Sequence, residues 1–271
     1  MAHVSIIHHR GGLHDKYVVS VMAKLWAEDG LKVSAGRKWA EGADLGFLHL
    51  NKTRIKPNEV PIIPNGGRLL NGKALDISKR VISSLLVTPE SNWDGRVIIK
   101  TDLNHFGIPE AQGKKPSWKA KLRSQVAKFS WQLARELPFK DYPVLSGLRK
   151  VPPWVWEDKR LIVEKFLPEI DSGYYCVRGW MFLGQQSYGW KLYSTHPLAK
   201  GGTMVKHDYL EDIPEGLEAL RAMHGFDFGK FDYVMHEGRA VLLDANKTPA
   251  FVGDPASPRL RRLASGIHDY L

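Results

Sequence analysis

The chain has 271 residues, 43% hydrophobic and 25% charged, with a formal charge of +10. That is the composition of an ordinary globular protein with a real core, and no apolar run nears the ~20 residues that span a bilayer. A single cysteine, Cys176, excludes an internal disulfide and a cysteine-based zinc site.

The opening "MAHVSIIHHRGG" lacks the basic and apolar regions of a signal peptide, so the expected location is cytoplasmic. "HVSIIHH" reads as a strand. "DKYVVSVMAKLWAEDG" reads as a helix, with Val18, Met22, Leu25 and Trp26 at helical spacing and Gly30 as its stop. "LKVSAG" and "LGFLHL" are further strands. Strands alternating with a helix predict a small α/β domain with a parallel sheet over residues 1–76, closed by the Pro- and Gly-punctuated "PIIPNGGRLLNG". No G-x-G-x-x-G follows the first strand, so a dinucleotide-binding reading has no support. His8, His9 and His14 near that strand's end read as surface residues.

A second block, residues 77–163, opens with "ALDISKRVISSLLV", a short helix capped by Asp76 or Ser78 with Ile82, Leu85 and Leu86 inward. "GRVIIKT" is a strand ending in Lys100. "SWKAKLRSQVAKFSWQLARELP" reads as one helix with an inward apolar stripe of Trp118, Leu122, Val126, Phe129 and Leu133. Residues 111–160 hold twelve Lys/Arg against four Asp/Glu. This suits a basic lid over a phosphate site or a solvated helix face.

The third block, residues 164–271, follows the strand "RLIVEKFLPE" into an acidic turn. "YYCVRGWMFLG" and "SYGWKLYS" read as paired strands, with Cys176 a structural residue on the first. "GLEALRAMHGF" is a helix, "FDYVMHEGRAVLLDANKTPA" a hairpin, and "SPRLRRLASGIHDYL" a terminal helix. Hairpins mixed with helices predict an α+β fold after residue 76.

Some residues can carry chemistry. Asp232, Asp244 and Asn246 are hard oxygen donors on the hairpin, and alternation puts Asp244 and Asn246 on one face. They form either a capped turn or a metal site. Lys100 ends an apolar strand, and Lys79 opens a helix where its charge opposes the helix dipole. Each is either a phosphate contact or a solvated lysine. Glu164 leaves the core at a plausible hinge between lobes, while Glu169 and Asp171 form either a ribose contact or an acidic surface turn.

The order of these residues resembles the ATP-grasp superfamily, nearest to the D-alanine–D-alanine ligases and RimK-like peptide ligases. The likeness covers roughly residues 77–250. The family ending "G-R-x-D … E-x-N-x-x-P-G" has its counterpart in "GKFD … DANKTPA". The resemblance implies two ATP-grasp lobes behind the N-terminal α/β domain. It implies that Lys79 and Lys100 contact ATP phosphates, Glu164 lies in the adenine hinge, and Glu169 or Asp171 holds the ribose. Asp232, Asp244 and Asn246 would bind Mg2+, with Mn2+ a substitute. Lys230, where the family carries arginine, would stabilise charge on the transferring phosphoryl group or on a tetrahedral intermediate. Arg178 and Lys191 would contact phosphate or substrate. The chain departs from the family at three places. After Lys100 it reads "TDLNHFGIPEAQGKKPSWK", with only Gly107 and Gly113 for a glycine-rich loop, so Lys114, Lys115 and Lys119 are expected to replace its amides. Asp244 stands for a glutamate, and Ala250 for a glycine in the acceptor loop.

The implied function is an ATP-dependent ligase joining a small carboxylate to an amine or thiol through an acyl phosphate, with ADP and phosphate as products. A homodimer is allowed; a membrane partner is not expected, nor a nucleic acid. Alternatives are a kinase on the same fold, a nucleic-acid-binding protein using the basic helix Ser117 to Leu137, and a nucleotide-binding protein without turnover.

Overall fold

The computed structural model describes residues 1–9, 13–111, 115, 117–139, 141–199 and 201–271. The N-terminal part holds β1 (His3–His8), α1 (Val18–Glu28), β2 (Lys32–Gly36), β3 (Leu45–His49) and β4 (Arg68–Leu70). Then come α2 (Lys79–Ile82), β5 (Val97–Thr101), α3 (Ile108–Ala111), α4 (Trp118–Val126), α5 (Trp131–Ala134), β6 (Val144–Leu145), α6 (Pro153–Glu157) and β7 (Leu161–Lys165). The last part holds β8 (Glu169–Asp171), β9 (Tyr174–Leu183), β10 (Gln186–Ser194), β11 (Met204–Leu210), α7 (Leu217–Met223), β12 (Phe228–His236), β13 (Arg239–Asn246) and α8 (Pro258–Ser265). The architecture is α+β. No helix among the described residues is long and apolar enough to cross a membrane.

Three sheets are formed among the described residues. The first is parallel, in the order β2-β1-β3-β4. Its middle strands are almost wholly buried: Val4, Ile6, Leu45 and Phe47 pack under α1, and Ile7 and Leu48 pack on the other face with Leu50 and Ile55. Val18, Met22, Leu25 and Trp26 of α1 are all buried, as their spacing predicts. The second is a small antiparallel sheet, β6-β5-β7. The third is antiparallel, β11-β10-β9-β12-β13, with β8 paired to β9. One core joins β1, β3 and α1 to Met181, Leu183 and Phe228 of the large sheet and to Leu260 and Leu263 of α8. Inside it the Trp26 indole N–H donates to the Ala264 carbonyl oxygen at 2.8 Å, across 238 residues of chain.

The structure corrects two sequence expectations here. The helix "SWKAK…" is not continuous. Ser117 caps α4, accepting from the Ala120 N–H, and Ser130 in extended conformation caps a new helix, accepting from the Leu133 N–H. A serine that can satisfy free N–H groups competes with helix continuation. The predicted inward stripe faces solvent instead: Phe129 is 92% and Leu133 83% exposed, and Trp118, Leu122 and Val126 are exposed too. The helix at Lys79 is a single turn, and the side chains of Asp76 and Ser78 do not cap its N–H groups. The Arg80 N–H donates to Asp102 Oδ1 at 2.9 Å, so the residue after β5 caps α2. Ile82 and Leu85 are buried as expected; Leu86 is exposed.

Candidate nucleotide and metal site

The hairpin β12–β13 sets the site by its register. Lys230 faces Asn246 and Asp232 faces Asp244. Directly opposed residues of an antiparallel pair project to the same face, and residues two apart do as well. All four polar side chains therefore share one face. Phe231, Tyr233 and Ala245 share the other, where they are fully buried in a core with Trp180 and Phe182. A bulge between Asp232 and Tyr233 shifts the pairing, so that Tyr233 meets Leu242 and Leu243 is left over. As a result both Leu243 and Asp244 reach the same cavity.

That cavity, about 360 Å³, lies between the small sheet and the large one. Lys79, Lys100 and Lys230 line it with Asp232 and Asp244. The Lys79 ammonium donates to Asp244 Oδ1 at 3.2 Å and to Asn104 Oδ1 at 2.8 Å. Lys230 pairs with Asp232 at 2.8 Å, and Lys100 with the fully buried Glu164 at 2.7 Å. Ile98 of β5 pairs with Glu164 of β7, and Lys100 follows two residues on, so Lys100 and Glu164 share a face. Burial pushes the Asp232 carboxyl above the usual range, with Lys230 opposing. The rest of the lining is apolar and includes Phe166 and Leu167 after β7, Val177 and Leu192 on the sheet, and Val234. Cys176 is buried at this wall, and burial raises its thiol pKa.

Asp232 and Asp244 offer oxygens side by side, and Asn246 follows on the same face. A hard cation such as Mg2+ accepts one or two carboxylates plus phosphate and water oxygens. Among the described residues no group of three or more His, Cys, Asp or Glu side chains could hold a metal alone. Two carboxylates and an amide suit a hard cation that completes its shell with oxygens from outside the protein. Lys79 and Lys230 pair with the two carboxylates.

A second cavity, also about 360 Å³, adjoins the first. Its wall is a hydrogen-bond chain. The Thr248 N–H donates to Asn246 Oδ1 at 2.8 Å, the Thr248 hydroxyl to Asn51 Oδ1 at 3.1 Å, and the Asn51 amide to the Tyr17 hydroxyl at 2.9 Å. The loop carrying Ala250 is tied to the N-terminal part by an antiparallel bridge to Tyr17, with the Phe251 N–H donating to the Lys16 carbonyl oxygen at 2.7 Å.

Four predicted residues stand elsewhere. Tyr233 pairs with Arg178, and Arg178 pairs with Lys191 across β9 and β10, so both cations project to the face away from Asp232. The Arg178 guanidinium donates to both oxygens of Glu169, at 2.7–3.0 Å. Lys191 pairs with Glu169 at 3.1 Å and with Asp171 at 2.7 Å, and the Met235 N–H donates to Glu169 Oε2 at 2.8 Å. Burial alone would push the Glu169 carboxyl up, but Arg178, the Met235 N–H and Lys191 hold it below the usual carboxylate range. None of these four lines the first cavity. The arrangement is an ion cluster that ties β8 to the back of the sheet.

Other site residues escaped the sequence reading. Asp102 is buried, accepts from Arg54 at 2.6 Å, and caps α2, which orients Lys79. Asn104 joins Lys79 to β13 through its amide, which donates to the Ala245 carbonyl oxygen at 2.7 Å. His105 and Tyr142 line the cavity. Of the basic run expected to replace a glycine-rich loop, Gly113, Lys114 and the Lys119 side chain lie outside the described residues, and Lys115 is exposed and lines neither cavity.

The chain has the ATP-grasp fold. Its structure matches the ATP-grasp ligase PsnB complexed with a minimal precursor, with TM-score 0.54 and 10% identity over 99% of both chains. It matches the macrocyclase MdnC from Microcystis aeruginosa MRC, bound with precursor peptide MdnA, with TM-score 0.53 and 11% identity over 98% of both chains. A D-alanine–D-alanine ligase from Bacillus anthracis, complexed with ATP, has TM-score 0.44 at 10% identity, covering 91% of this chain and 86% of that one. No protein-family model and no curated protein matches the sequence.

Proposed function

We propose that this ATP-grasp chain is an ATP-dependent ligase that joins a carboxylate to an amine or thiol. The observation that carries the reading is one cavity lined by four lysines, two adjacent carboxylates and an apolar slot. Phe166, Leu167, Val177 and Leu192 suit the faces of an adenine, which needs an apolar slot more than charge. Lys79, Lys100 and Lys230 suit the phosphates. Asp232, Asp244 and Asn246 would hold Mg2+, which when bound neutralises phosphate charge. In this reading Arg178, Glu169, Lys191 and Asp171 contact neither nucleotide nor substrate.

The second cavity would receive the carboxylate and its acceptor. A carboxylate oxygen attacks the terminal phosphorus of ATP and ADP leaves, giving an acyl phosphate. The amine or thiol then attacks the carbonyl carbon, and the C–O bond to phosphate breaks as phosphate leaves with the electron pair. The protein supplies positioning and fixed charge and needs no nucleophile of its own.

Thermal unfolding with Mg·ADP, Mg·ATP and EDTA tests the reading on the native protein and Asp244→Ala. A ligand at about 100 times its Kd stabilises by about 2.7 kcal/mol, or about 5 °C for a chain of this length. The native protein should show that shift only with magnesium, and Asp244→Ala should lose it. Absence of a magnesium-dependent shift in the native protein sinks the proposal. A kinase reading differs in its product, since phosphate would remain on the acceptor and no amide or thioester would form.

A further inference from the structure

The nucleotide cavity and the second cavity have two lining residues in common, Asp244 and His105. Asp244 belongs to the candidate metal set. His105 has no assigned role. Its imidazole is exposed and makes no hydrogen bond or ion pair with any described residue.

The backbone that presents it is strained. His105 has φ 49° and ψ 42°, and Phe106 has φ 58° and ψ 20°. Both are non-glycine residues in the left-handed region, which is unfavourable for any residue with a Cβ. Such a conformation persists only where its surroundings over-determine it, and here both flanks are anchored. On one side the Asn104 N–H donates to the Thr53 hydroxyl at 2.9 Å, and the Asn104 side chain is held by Lys79 and the Ala245 carbonyl. On the other, Phe106 stacks on Tyr142 with ring centroids 4.6 Å apart and planes 12° apart. An all-glycine turn would take this path without strain. The chain instead keeps an imidazole at the tip, with no hydrogen-bond partner among the described residues.

Position then selects the ligand. If the chain transfers phosphate from a nucleotide in one cavity to a carboxylate in the other, only the terminal phosphoryl group must be reachable from both. Lys79 lies on the same side, tied to Asp244 and Asn104. The inference rests on the ligase reading above. We infer that His105 donates a hydrogen bond to the terminal phosphoryl group of ATP and so distinguishes the triphosphate from ADP.

The test compares affinities for Mg·AMP-PNP and Mg·ADP, by calorimetry, in the native protein, His105→Ala and His105→Gly. A hydrogen bond to a charged group predicts that both variants lose about tenfold or more in AMP-PNP affinity. Their ADP affinity should stay within about twofold of native. His105→Gly also relieves the left-handed strain and should melt higher than His105→Ala. It therefore keeps the test intact should alanine disturb the loop. An unchanged ratio of AMP-PNP to ADP affinity in both variants overturns the inference and leaves the ligase reading standing. A native protein that binds neither nucleotide overturns both.

Discussion

Replacing Glu169 separates a structural clamp from a ribose contact. Glu169 is buried and accepts from Arg178, the Met235 N–H and Lys191. Glu169→Ala leaves Lys191 paired with Asp171 and takes from Arg178 the carboxylate it binds. Removing one partner of a buried pair costs about 3–5 kcal/mol; since the Arg178 side chain keeps 22% exposure, the lower end applies. At about 2 °C per kcal/mol for a chain of this length, Tm should fall about 6 °C. Glu169→Gln retains an acceptor for the Met235 N–H and should cost about 1–2 kcal/mol. The group's depressed pKa also sets a pH dependence. Its stabilisation is present above the unfolded carboxyl pKa and is lost as pH falls through the lower folded value. Below about pH 4 the gap between native protein and Glu169→Gln should therefore close. The assay is thermal unfolding against pH, with Mg·ADP affinity measured alongside. A Glu169→Gln protein that is as stable as native but has lost ADP affinity would refute the clamp and restore the ribose assignment.

Burial, with His8 and His9 close by, pushes the His49 imidazole down to about 3. The unfolded chain then binds the proton more readily between about pH 6.5 and 3, so stability falls as pH falls across that window, by up to about 1.4 kcal/mol per unit. His49→Phe should flatten that limb in urea unfolding at stepped pH; an unchanged slope counts against the assignment. Gly266→Ala places a Cβ 2.1 Å from the Leu183 carbonyl oxygen. The overpacking should cost about 1–3 kcal/mol, whereas an equal or higher Tm would show that the backbone yields freely. Phe129→Ser and Leu133→Ser should each change stability by about 0.5 kcal/mol or less, because both side chains are exposed. A cost of several kcal/mol would mean that the stripe packs inward after all.

Much of the site was legible because it depends on local period. Asp244 and Asn246 share a face by strand alternation, and Lys100 ends an apolar run, so their placement needs only the strand. The first sheet was legible for the same reason, since Val18, Met22, Leu25 and Trp26 declare one helix face. What escaped depends on register between distant segments. Nothing in "YYCVRGW" says whether Arg178 faces the cleft; that parity is set by its pairing with Tyr233, 55 residues on. The α4 stripe failed because an apolar period shows that residues share a face, not that a partner covers it. Asp102, Asn104 and His105 were hidden because their roles come from loop geometry, which hydrophobic period does not encode.

The Trp26–Ala264 contact bears on how the chain matures. Residues 1–50 leave the ribosome with an apolar sheet and helix whose partners include Met181, Leu183 and Phe228 and, made more than 200 residues later, Leu260 and Leu263. At 5–20 residues per second the last of that cover arrives after about 10–40 s. The first sheet is thus the segment most in need of shielding during synthesis, and α8 the one whose arrival ends that exposure.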